Sequence, residues 1–372
     1  MLKLIKLLPI LIVTLLIGCS NNETSEPIQS CLTENYFLGN SSRNFNMGFS
    51  TWSFGPNLQD VNNTYQFISD NSDIYSEHID NKIPWNSWIN NLPLPLEFTN
   101  EITGRVSRKI VNQQLVLSVS LLNSNRSDLA EDFDGTIPSY TNLNDEAIEN
   151  AYFKHVQFLI EAFTPNYLVI AIEVNELKLA SNSKWEAYKL LINNVKTRIK
   201  TIYPNLKISE SISLHNVYQP VTSNPDEYTN EIIDYMNAQD FVTISFYPFF
   251  KDLHSKNEFQ QVFDFLHSKI MKPIAFVETS TLAEDLIVPN FNLLIEGNEC
   301  EQNAYLETLL TNAQNTNYEF VIWWAHKDYD ALWLTFPNEF KDLGQLWRDT
   351  GLLDENGIER PSFSTWKTVF NK

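Results

Sequence analysis

Residues 167–176, Tyr-Leu-Val-Ile-Ala-Ile-Glu-Val-Asn-Glu, form a short apolar run that ends on a glutamate, and residues 273–278, Pro-Ile-Ala-Phe-Val-Glu, form a second one. Runs this short and this rich in Val, Ile and Phe are typical of buried strands in a parallel sheet. A glutamate at the carboxyl end of such a strand lies at the mouth of the sheet, where α/β barrels keep their reactive side chains. The two runs therefore predict a parallel α/β fold with Glu176 and Glu278 at one edge of its sheet.

Strand-like runs occur eight times along the chain, with helical patterns between most of them. They cover residues 45–52, 73–79, 115–122, 167–174, 206–212, 241–247, 273–277 and 320–325. The clearest helix follows the fourth run, where Ser183 and Glu186 have the spacing of a capping box. This alternation indicates a (β/α)8 TIM barrel rather than a doubly wound sheet, since no Gly-rich phosphate loop follows the first run. We expect one barrel domain over residues 45–372.

The N-terminal residues have the pattern of an export signal. Two lysines precede an apolar stretch over residues 7–17, which is too short to span a bilayer comfortably. The stretch ends in Leu-Ile-Gly-Cys19, which resembles the bacterial lipobox and implies a signal peptide over residues 1–18 with a lipid on Cys19. An ordinary secretory signal is the alternative. Residues 19–44 then predict a tether, and Ser20, which is not an acidic retention signal, favours a cell-envelope location at the outer membrane.

The composition limits the possible partners. The formal net charge of −20 opposes binding to nucleic acid or to an anionic lipid surface, and it suits a neutral substrate. No CxxC pair or HExxH motif is present and the six histidines are scattered, so we predict no metal site. Cys31 and Cys300 could form a disulfide in an oxidising compartment, but the sequence leaves their pairing open. We expect a monomer that touches the membrane through its lipid anchor only.

Two carboxyl groups at one sheet edge suit hydrolysis of a glycosidic bond, in which one protonates the leaving oxygen and the other attacks the anomeric carbon. A carboxylic acid holds its proton near neutral pH only where burial or a nearby negative charge raises its pKa. Glu278 would be such a neighbour for Glu176 until a glycosyl ester removes its charge, after which Glu176 can act as a base on water. Glu173, deeper on the same strand, is a rival acid, and a structural ion pair is the alternative for either glutamate.

The residues around both glutamates resemble clan A of the glycoside hydrolases. In that clan an Asn-Glu pair, here Asn175-Glu176, closes the fourth strand, and a glutamate, here Glu278, ends the seventh. The chain is most similar to the endo-β-1,4-galactanases, which show similar Asn-Glu and Glu-Thr pairs and often a Tyr-Pro-Asn stretch such as residues 203–205. The resemblance implies a (β/α)8 barrel and a retaining mechanism with Glu176 as acid/base and Glu278 as nucleophile.

The chain also departs from the galactanase pattern at two strand ends. The second strand ends in Glu77-His-Ile-Asp80, where many clan members carry an arginine. The third ends in the run Leu-Leu-Asn-Ser-Asn-Arg over residues 121–126, without the His-rich and Trp-rich segment expected of galactanases. The resemblance is therefore to the clan first and to the family second, and it does not identify the sugar.

Other side chains near the strand ends are candidates for substrate binding. We expect Asn175 to hydrogen-bond a sugar 2-hydroxyl and Tyr247 to donate its hydroxyl to Glu278. Trp323 and Trp324 end the eighth strand, but neighbouring strand residues face opposite sides, so only one can offer its ring to a sugar. Trp324 is favoured because it lies nearer the strand end.

Three further candidates for sugar contacts are His78, His215 and Trp52, although solvated loop or rim-packing roles are equally open. Together these residues predict a retaining glycoside hydrolase that cleaves a β-linked neutral polysaccharide by double displacement and needs no cofactor. The alternative is a catalytically inactive, surface glycan-binding lipoprotein on the same barrel. Sugar, linkage, and internal or terminal attack stay open.

Overall fold

The computed structural model of the chain covers the predicted barrel domain. It describes residues 31, 42–80, 82–316 and 318–372. The predicted signal peptide over residues 1–18, the lipidation site Cys19 and most of the tether over residues 19–44 lie outside the described residues. Within the described ranges, every helix is too short or too polar to span a lipid bilayer.

The strands form a parallel barrel and one small hairpin. In chain order they are β1 (Asn46–Ser50), β2 (Ile74–Ile79), β3 (Gln114–Val119), β4 (Tyr167–Val169), β5 (Lys207–Ser209), β6 (Ser211–Ser213), β7 (Val242–Phe246), β8 (Ile274–Thr279), β9 (Leu286–Val288), β10 (Leu293–Ile295) and β11 (Phe320–Trp323). The barrel order is β5-β4-β3-β2-β1-β11-β8-β7-β6, and β9 and β10 pair antiparallel outside it. The predicted (β/α)8 barrel is confirmed.

The fifth predicted strand is broken at Glu210, which separates β5 from β6. The buried Glu210 carboxylate accepts hydrogen bonds from Tyr188, Tyr235 and Lys196 on the surrounding helices, which draws this residue out of the sheet. Nine strands in the sheet therefore correspond to eight barrel positions, and the chain itself closes the barrel between β5 and β6.

Helices cover the outside of the barrel. They are α1 (Leu58–Asn71), α2 (Trp85–Asn90), α3 (Leu96–Val106), α4 (Glu146–Phe163), α5 (Asn175–Ala180), α6 (Asn182–Ile202), α7 (Leu214–Tyr218), α8 (Pro225–Asn237), α9 (Lys256–Lys269), α10 (Glu299–Thr316), α11 (Asp330–Trp333), α12 (Asn338–Gln345) and α13 (Pro361–Phe370). The cap predicted for α6 is corrected, because Ser181, in extended backbone, accepts the amide of Lys184.

Two apolar layers stabilise the barrel. One lies inside it, where residues from successive strands, such as Ile74, Val116 and Ile322, fill the interior. The other lies between the sheet and the helices and includes Trp323 and Trp366. The filled interior closes the barrel and leaves the carboxyl ends of its strands as the place for a site.

A disulfide joins Cys31 to Cys300 at the start of α10, with Cα atoms 5.2 Å apart. The sequence left this pairing open, because the two cysteines are 269 positions apart. The bond attaches the N-terminal segment to the loop region that follows β8. A disulfide at this position suits an oxidising compartment.

Candidate active site

Glu278 lies near the end of β8 and is 8% exposed. Tyr247, which follows β7, donates its hydroxyl to Oε1 of Glu278. The Nδ1 atom of His78, on β2, lies 3.6 Å from Oε2 of the same carboxylate. Burial, with the negative charge of Glu278 next in importance, raises the pKa of Tyr247 well above its usual value, so this phenol keeps its proton and acts as a donor. One oxygen of Glu278 therefore accepts a hydrogen bond from the end of the adjacent strand, and the other faces an imidazole from β2, across the barrel mouth.

Glu176 lies in the first turn of α5, just past the fourth strand, and is partly exposed. Its Oε1 atom accepts hydrogen bonds from the Ser213 hydroxyl, from Asn216 Nδ2 at 2.8 Å and from Asn175 Nδ2 at 3.4 Å. Among the residues that the structure describes, no donor contacts the Oε2 atom of Glu176. One oxygen is therefore fixed by the protein, and the other is open to carry or receive a proton.

Asn175 is fully buried beside Glu176. Its Nδ2 atom donates to Ser213 Oγ at 3.0 Å and to Tyr228 Oη at 2.9 Å, while its Oδ1 atom accepts the amide of Ser213 at 2.8 Å. These bonds attach the start of α5 to the end of β6 and fix the direction of Glu176. The predicted contact between Asn175 and a sugar hydroxyl stays a prediction, since it requires some of these bonds to be exchanged.

Glu173 is a third carboxylate between the two glutamates, and its charge acts on both Glu176 and Glu278. Its Oε2 atom lies 3.2 Å from Nε of Arg126, which follows β3. Burial, partly offset by Arg126 and reinforced by the neighbouring carboxylates, raises the pKa of Glu173 to about 7. The ion pair with Arg126 is the contact that a structural acid would make, and the choice of Glu176 over Glu173 as the catalytic acid stays a prediction.

The two tryptophans at the end of β11 point in opposite directions. Trp324 faces the cleft, where its ring lies 5.3 Å from His78 and 5.4 Å from the half-buried Trp52. Trp323 is fully buried, packs on Tyr305 of α10 and donates its indole N–H to the carbonyl oxygen of Thr350. The prediction of Trp323 as a substrate-binding residue is therefore corrected, because strand alternation places it in the layer behind the sheet.

A cavity of about 370 Å³ adjoins this aromatic pair. It is lined by His78, Trp52 and Trp324 on the barrel side and by Arg105 and Arg108 of the α3 region. The indole N–H groups of Trp52 and Trp324 are buried, and neither has a hydrogen-bond partner in the described part of the chain. A sugar hydroxyl would supply the acceptor that these donors need.

Comparisons with known proteins identify the family and the fold of the chain. The model of glycosyl hydrolase family 53 matches residues 145–365, which contain Glu176 and Glu278. The chain belongs to glycosyl hydrolase family 53. It is accordingly a glycoside hydrolase, and its resemblance to clan A is confirmed. No curated protein matches the chain.

Solved structures share the barrel of this family 53 protein. The catalytic domain of an Ignisphaera aggregans GH53 protein is 16% identical over 88% of this chain and 96% of its own, with a TM-score of 0.57. A GH5_18 protein from Bifidobacterium longum subsp. infantis is 14% identical over 89% and 79%, with a TM-score of 0.61. An exo-β-1,4-mannosidase from an Opitutaceae bacterium is 11% identical over 93% and 62%, with a TM-score of 0.60. At these identities the likeness shows the fold alone.

His215 of the family 53 protein lies in α7, directly after β6, and is buried. Burial, with a smaller effect of Lys251, lowers the pKa of His215 to about 3, so its imidazole is neutral. Its Nδ1 atom has no hydrogen-bond partner among the residues described. The next residue, Asn216, contacts Glu176, which places His215 beside the acid side of the site; its contact with a sugar stays a prediction.

In the described part of the chain, the clusters of carboxylates that could hold a metal ion do not include Glu176 or Glu278. Two groups of three have oxygens within 4.8 Å of one another: Glu284, Asp328 and Glu355, and Asp328, Asp330 and Asp349. Arg360 pairs with Asp328 and Glu284, and Arg348 pairs with Asp349 and Asp330. Because guanidinium groups already balance these carboxylates, we assign them a structural role.

Four residues of the site were not among the predicted site residues. These are Asp80, Arg126, Ser213 and Asn216, which hold His78, Glu173 or Glu176. Each lies at or just beyond the carboxyl end of a barrel strand. That position is a usable signal, because side chains from all eight strand ends of a barrel meet at one face.

Proposed function

We propose that this family 53 protein is a retaining glycoside hydrolase that cleaves a β-linked neutral polysaccharide by double displacement. Glu278 is the nucleophile and Glu176 is the acid/base. In the first step Glu278 attacks the anomeric carbon while Glu176 protonates the leaving oxygen, and in the second Glu176 takes a proton from water as the glycosyl ester breaks. We expect the two carboxyl groups to work about 5 Å apart, as retention requires.

The observation that carries this proposal is the different environment of the two glutamates. Both oxygens of Glu278 face polar partners, the hydroxyl of Tyr247 and the imidazole of His78, which orient its carboxyl group for attack. Glu176 has its hydrogen bonds concentrated on Oε1, which leaves Oε2 for proton transfer. Two carboxyl groups held in two different ways are suited to two different roles.

The cavity beside His78 suggests where the sugar chain lies. Its lining includes neither Glu176 nor Glu278, but it includes His78, which lies 3.6 Å from Glu278, so the cavity adjoins the Glu278 side of the site. Because the acid contacts the leaving group, a pocket on the nucleophile side receives the glycone. Arg105 in its wall is paired with Glu77 at 3.0 Å and with Glu101 at 3.1 Å, so much of the wall charge is balanced and a neutral sugar is the better fit.

The replacement Glu176→Ala is expected to affect substrates according to their leaving groups. Turnover of a natural glycan, whose alkoxide needs a proton, should fall by roughly 10² to 10⁴-fold. Turnover of a dinitrophenyl glycoside should fall far less in its first step, since that leaving group departs without a proton. Steady-state kinetics on both substrates measure the difference.

Glu173→Gln is the matched control for this experiment, because it removes the rival acid from the same segment. It is expected to change turnover of both substrates by the same factor. A leaving-group dependence in Glu173→Gln, with none in Glu176→Ala, would transfer the acid role to Glu173.

The anomeric form of the first product tests the double displacement. We expect nuclear magnetic resonance of an early reaction mixture to show the β-anomer before mutarotation. Early appearance of the α-anomer contradicts a retaining mechanism. Wild-type protein that binds glycans but releases no reducing ends would support the inactive glycan-binding alternative.

We further propose that the enzyme is a monomer anchored to the outer membrane by a lipid on Cys19. The tether from Cys19 to the disulfide at Cys31 is short, so the barrel would stay close to the membrane surface. Cys19→Ser is expected to move the protein from the membrane fraction to the soluble fraction while its specific activity is kept. Retention of Cys19→Ser in the membrane fraction would contradict the anchor.

A further inference from the structure

A chain of side chains with alternating charge runs from Glu278 to Glu173 across the mouth of the barrel. Oε2 of Glu278 lies 3.6 Å from Nδ1 of His78, and Nε2 of His78 lies 3.9 Å from Oδ2 of Asp80. Asp80 in turn contacts Arg126, whose Nε atom lies 3.2 Å from Glu173. Side chains from four barrel segments therefore form a continuous series of charged contacts, and one end of this series is the proposed nucleophile.

Arg126 fixes the middle of this chain. It donates from Nη1 to Asp80 Oδ1 at 2.9 Å and from Nη2 to Asp80 Oδ2 at 2.6 Å, a two-pronged contact that sets the plane of the carboxylate. The Arg126 side chain is 8% exposed and that of Asp80 is 26% exposed, so the pair is partly shielded from water on the Arg126 side. Asp80 is thus held in position and kept ionised beside His78.

The backbone supports a special role for this ion pair. Arg126 has φ of 55° and Glu173 has φ of 50°, both in the left-handed region that residues with a side chain seldom adopt. Such conformations cost free energy and persist where surrounding contacts impose them, often at functional sites. Here the two partners of one ion pair both adopt that conformation, and each lies just past a barrel strand.

The groups around His78 determine its charge. Facing it are Glu278 from β8, Asp80 from its own strand and Arg126 from the loop after β3, together with the uncharged ring of Trp324. Burial lowers the pKa of His78, but Asp80 and Glu278 outweigh burial and Arg126, and the net shift is upward. Two carboxylates close to one imidazole favour its protonated form.

We propose that His78 is a positioning residue that, in its protonated form, holds Oε2 of Glu278, and that Asp80 and Arg126 keep it charged and in place. This inference rests on the proposed function, in which Glu278 is the nucleophile. The positive charge of His78 stabilises the carboxylate before attack. It stabilises the same carboxylate again when the glycosyl ester breaks and Glu278 leaves with the electron pair of the C–O bond.

The family match gives no information on His78, Asp80 and Arg126, because all three precede the matched residues 145–365. The structure therefore assigns these three residues through their contacts. Tyr247 keeps its proton over the working pH range, because its pKa is raised well above the usual value. Of the two groups that contact Glu278, His78 is therefore the one whose loss of a proton should affect activity at alkaline pH.

The pH dependence of kcat/KM in three variants tests the proposal. In wild type we expect the alkaline fall in activity to contain a step from the loss of the His78 proton, in addition to the loss of the proton that the acid/base donates. Asp80→Asn should move this fall to lower pH by about 1 unit or more, because one of the negative charges that favour protonated His78 is lost. His78→Gln should lower kcat/KM by roughly 10²-fold at neutral pH. It should also remove the part of the alkaline fall in kcat/KM that Asp80→Asn moves to lower pH. The control is His254→Gln. His254 lies between Asp252 and Glu301, outside the site, so its replacement should leave the pH profile of kcat/KM unchanged.

A second measurement does not depend on turnover. The titration of the His78 ring protons by nuclear magnetic resonance should show a midpoint that falls in Glu278→Gln and in Asp80→Asn, relative to wild type. An unchanged midpoint in both folded variants overturns the proposal, as does an alkaline limb in His78→Gln identical to that of wild type. Absence of any glycan hydrolysis by wild type would refute the proposed function, whereas the titration would still report whether His78 is coupled to Glu278.

Discussion

Glu278→Gln is expected to lower kcat on any accepted glycan by on the order of 10⁴-fold or more, because the amide cannot form the glycosyl ester. Gln has nearly the same shape as Glu, and its carbonyl oxygen can still accept the hydroxyl of Tyr247. The free energy of unfolding should therefore stay close to that of wild type. Release of reducing ends measures the loss, and thermal unfolding shows that the variant is folded.

Glu319→Gln is the matched control for this loss. Glu319 directly precedes β11 and pairs with Lys207 at 2.8 Å, at the opposite end of the barrel from the proposed site. Its replacement is expected to leave kcat within a factor of two, since the pair is partly exposed and far from the mouth. A folded Glu278→Gln protein with undiminished activity would remove Glu278 from the mechanism.

Arg360→Met is expected to lower the free energy of unfolding by about 3–5 kcal/mol, because it leaves a buried carboxylate without its cation. Arg360 is 2% exposed and directly precedes α13. Its Nη1 and Nη2 atoms contact both oxygens of Asp328 at 2.9 and 2.7 Å, and Nη2 also lies 2.6 Å from Glu284. It thereby connects the loops that follow β8 and β11, which border the cleft. Urea unfolding followed by tryptophan fluorescence measures the change.

Two further variants make this prediction specific to the buried pair. Lys367→Met removes a cation from α13, the helix that Arg360 precedes, but its bond to Glu359 is largely exposed, so a loss of less than about 1 kcal/mol is expected. Adding Asp328→Asn to Arg360→Met should restore part of the stability, since the uncompensated charge is then absent. Equal losses in Arg360→Met and Lys367→Met would show that the buried pair does not contribute as argued.

The strand ends show how far local sequence predicts this site. Glu176 and Glu278 were predicted at the barrel mouth because a short apolar run has a clear carboxyl end, and parallel strands bring those ends together. Alternation predicts that only one of Trp323 and Trp324 faces the cleft, nearness to the strand end favours Trp324, and the structure places Trp324 there. Predictions of this kind need only the pattern within one element.

Other features depended on neighbours that the local pattern does not contain. The break at Glu210 arises from Tyr188, Tyr235 and Lys196 on two helices and could not be read from the strand itself. The buried bonds of Asn175 likewise depend on Ser213 and Tyr228. Asn175 was expected to face the substrate, and its observed partners come from segments that are distant along the chain.

The sequence by itself predicted the barrel and the two glutamates at its mouth, because periodic apolar runs and strand ends are local properties. Their relation to a glycoside hydrolase clan came from the resemblance of the short motifs around them. Tertiary structure decided which charged groups meet there. His78 and Glu278 are 200 positions apart, and Asp80 meets Arg126 only after β2 and β3 pair within the closed barrel. The packing of distant strands decides which acid meets which base, because the sequence around an acidic or basic residue does not show which partner the fold will bring to it.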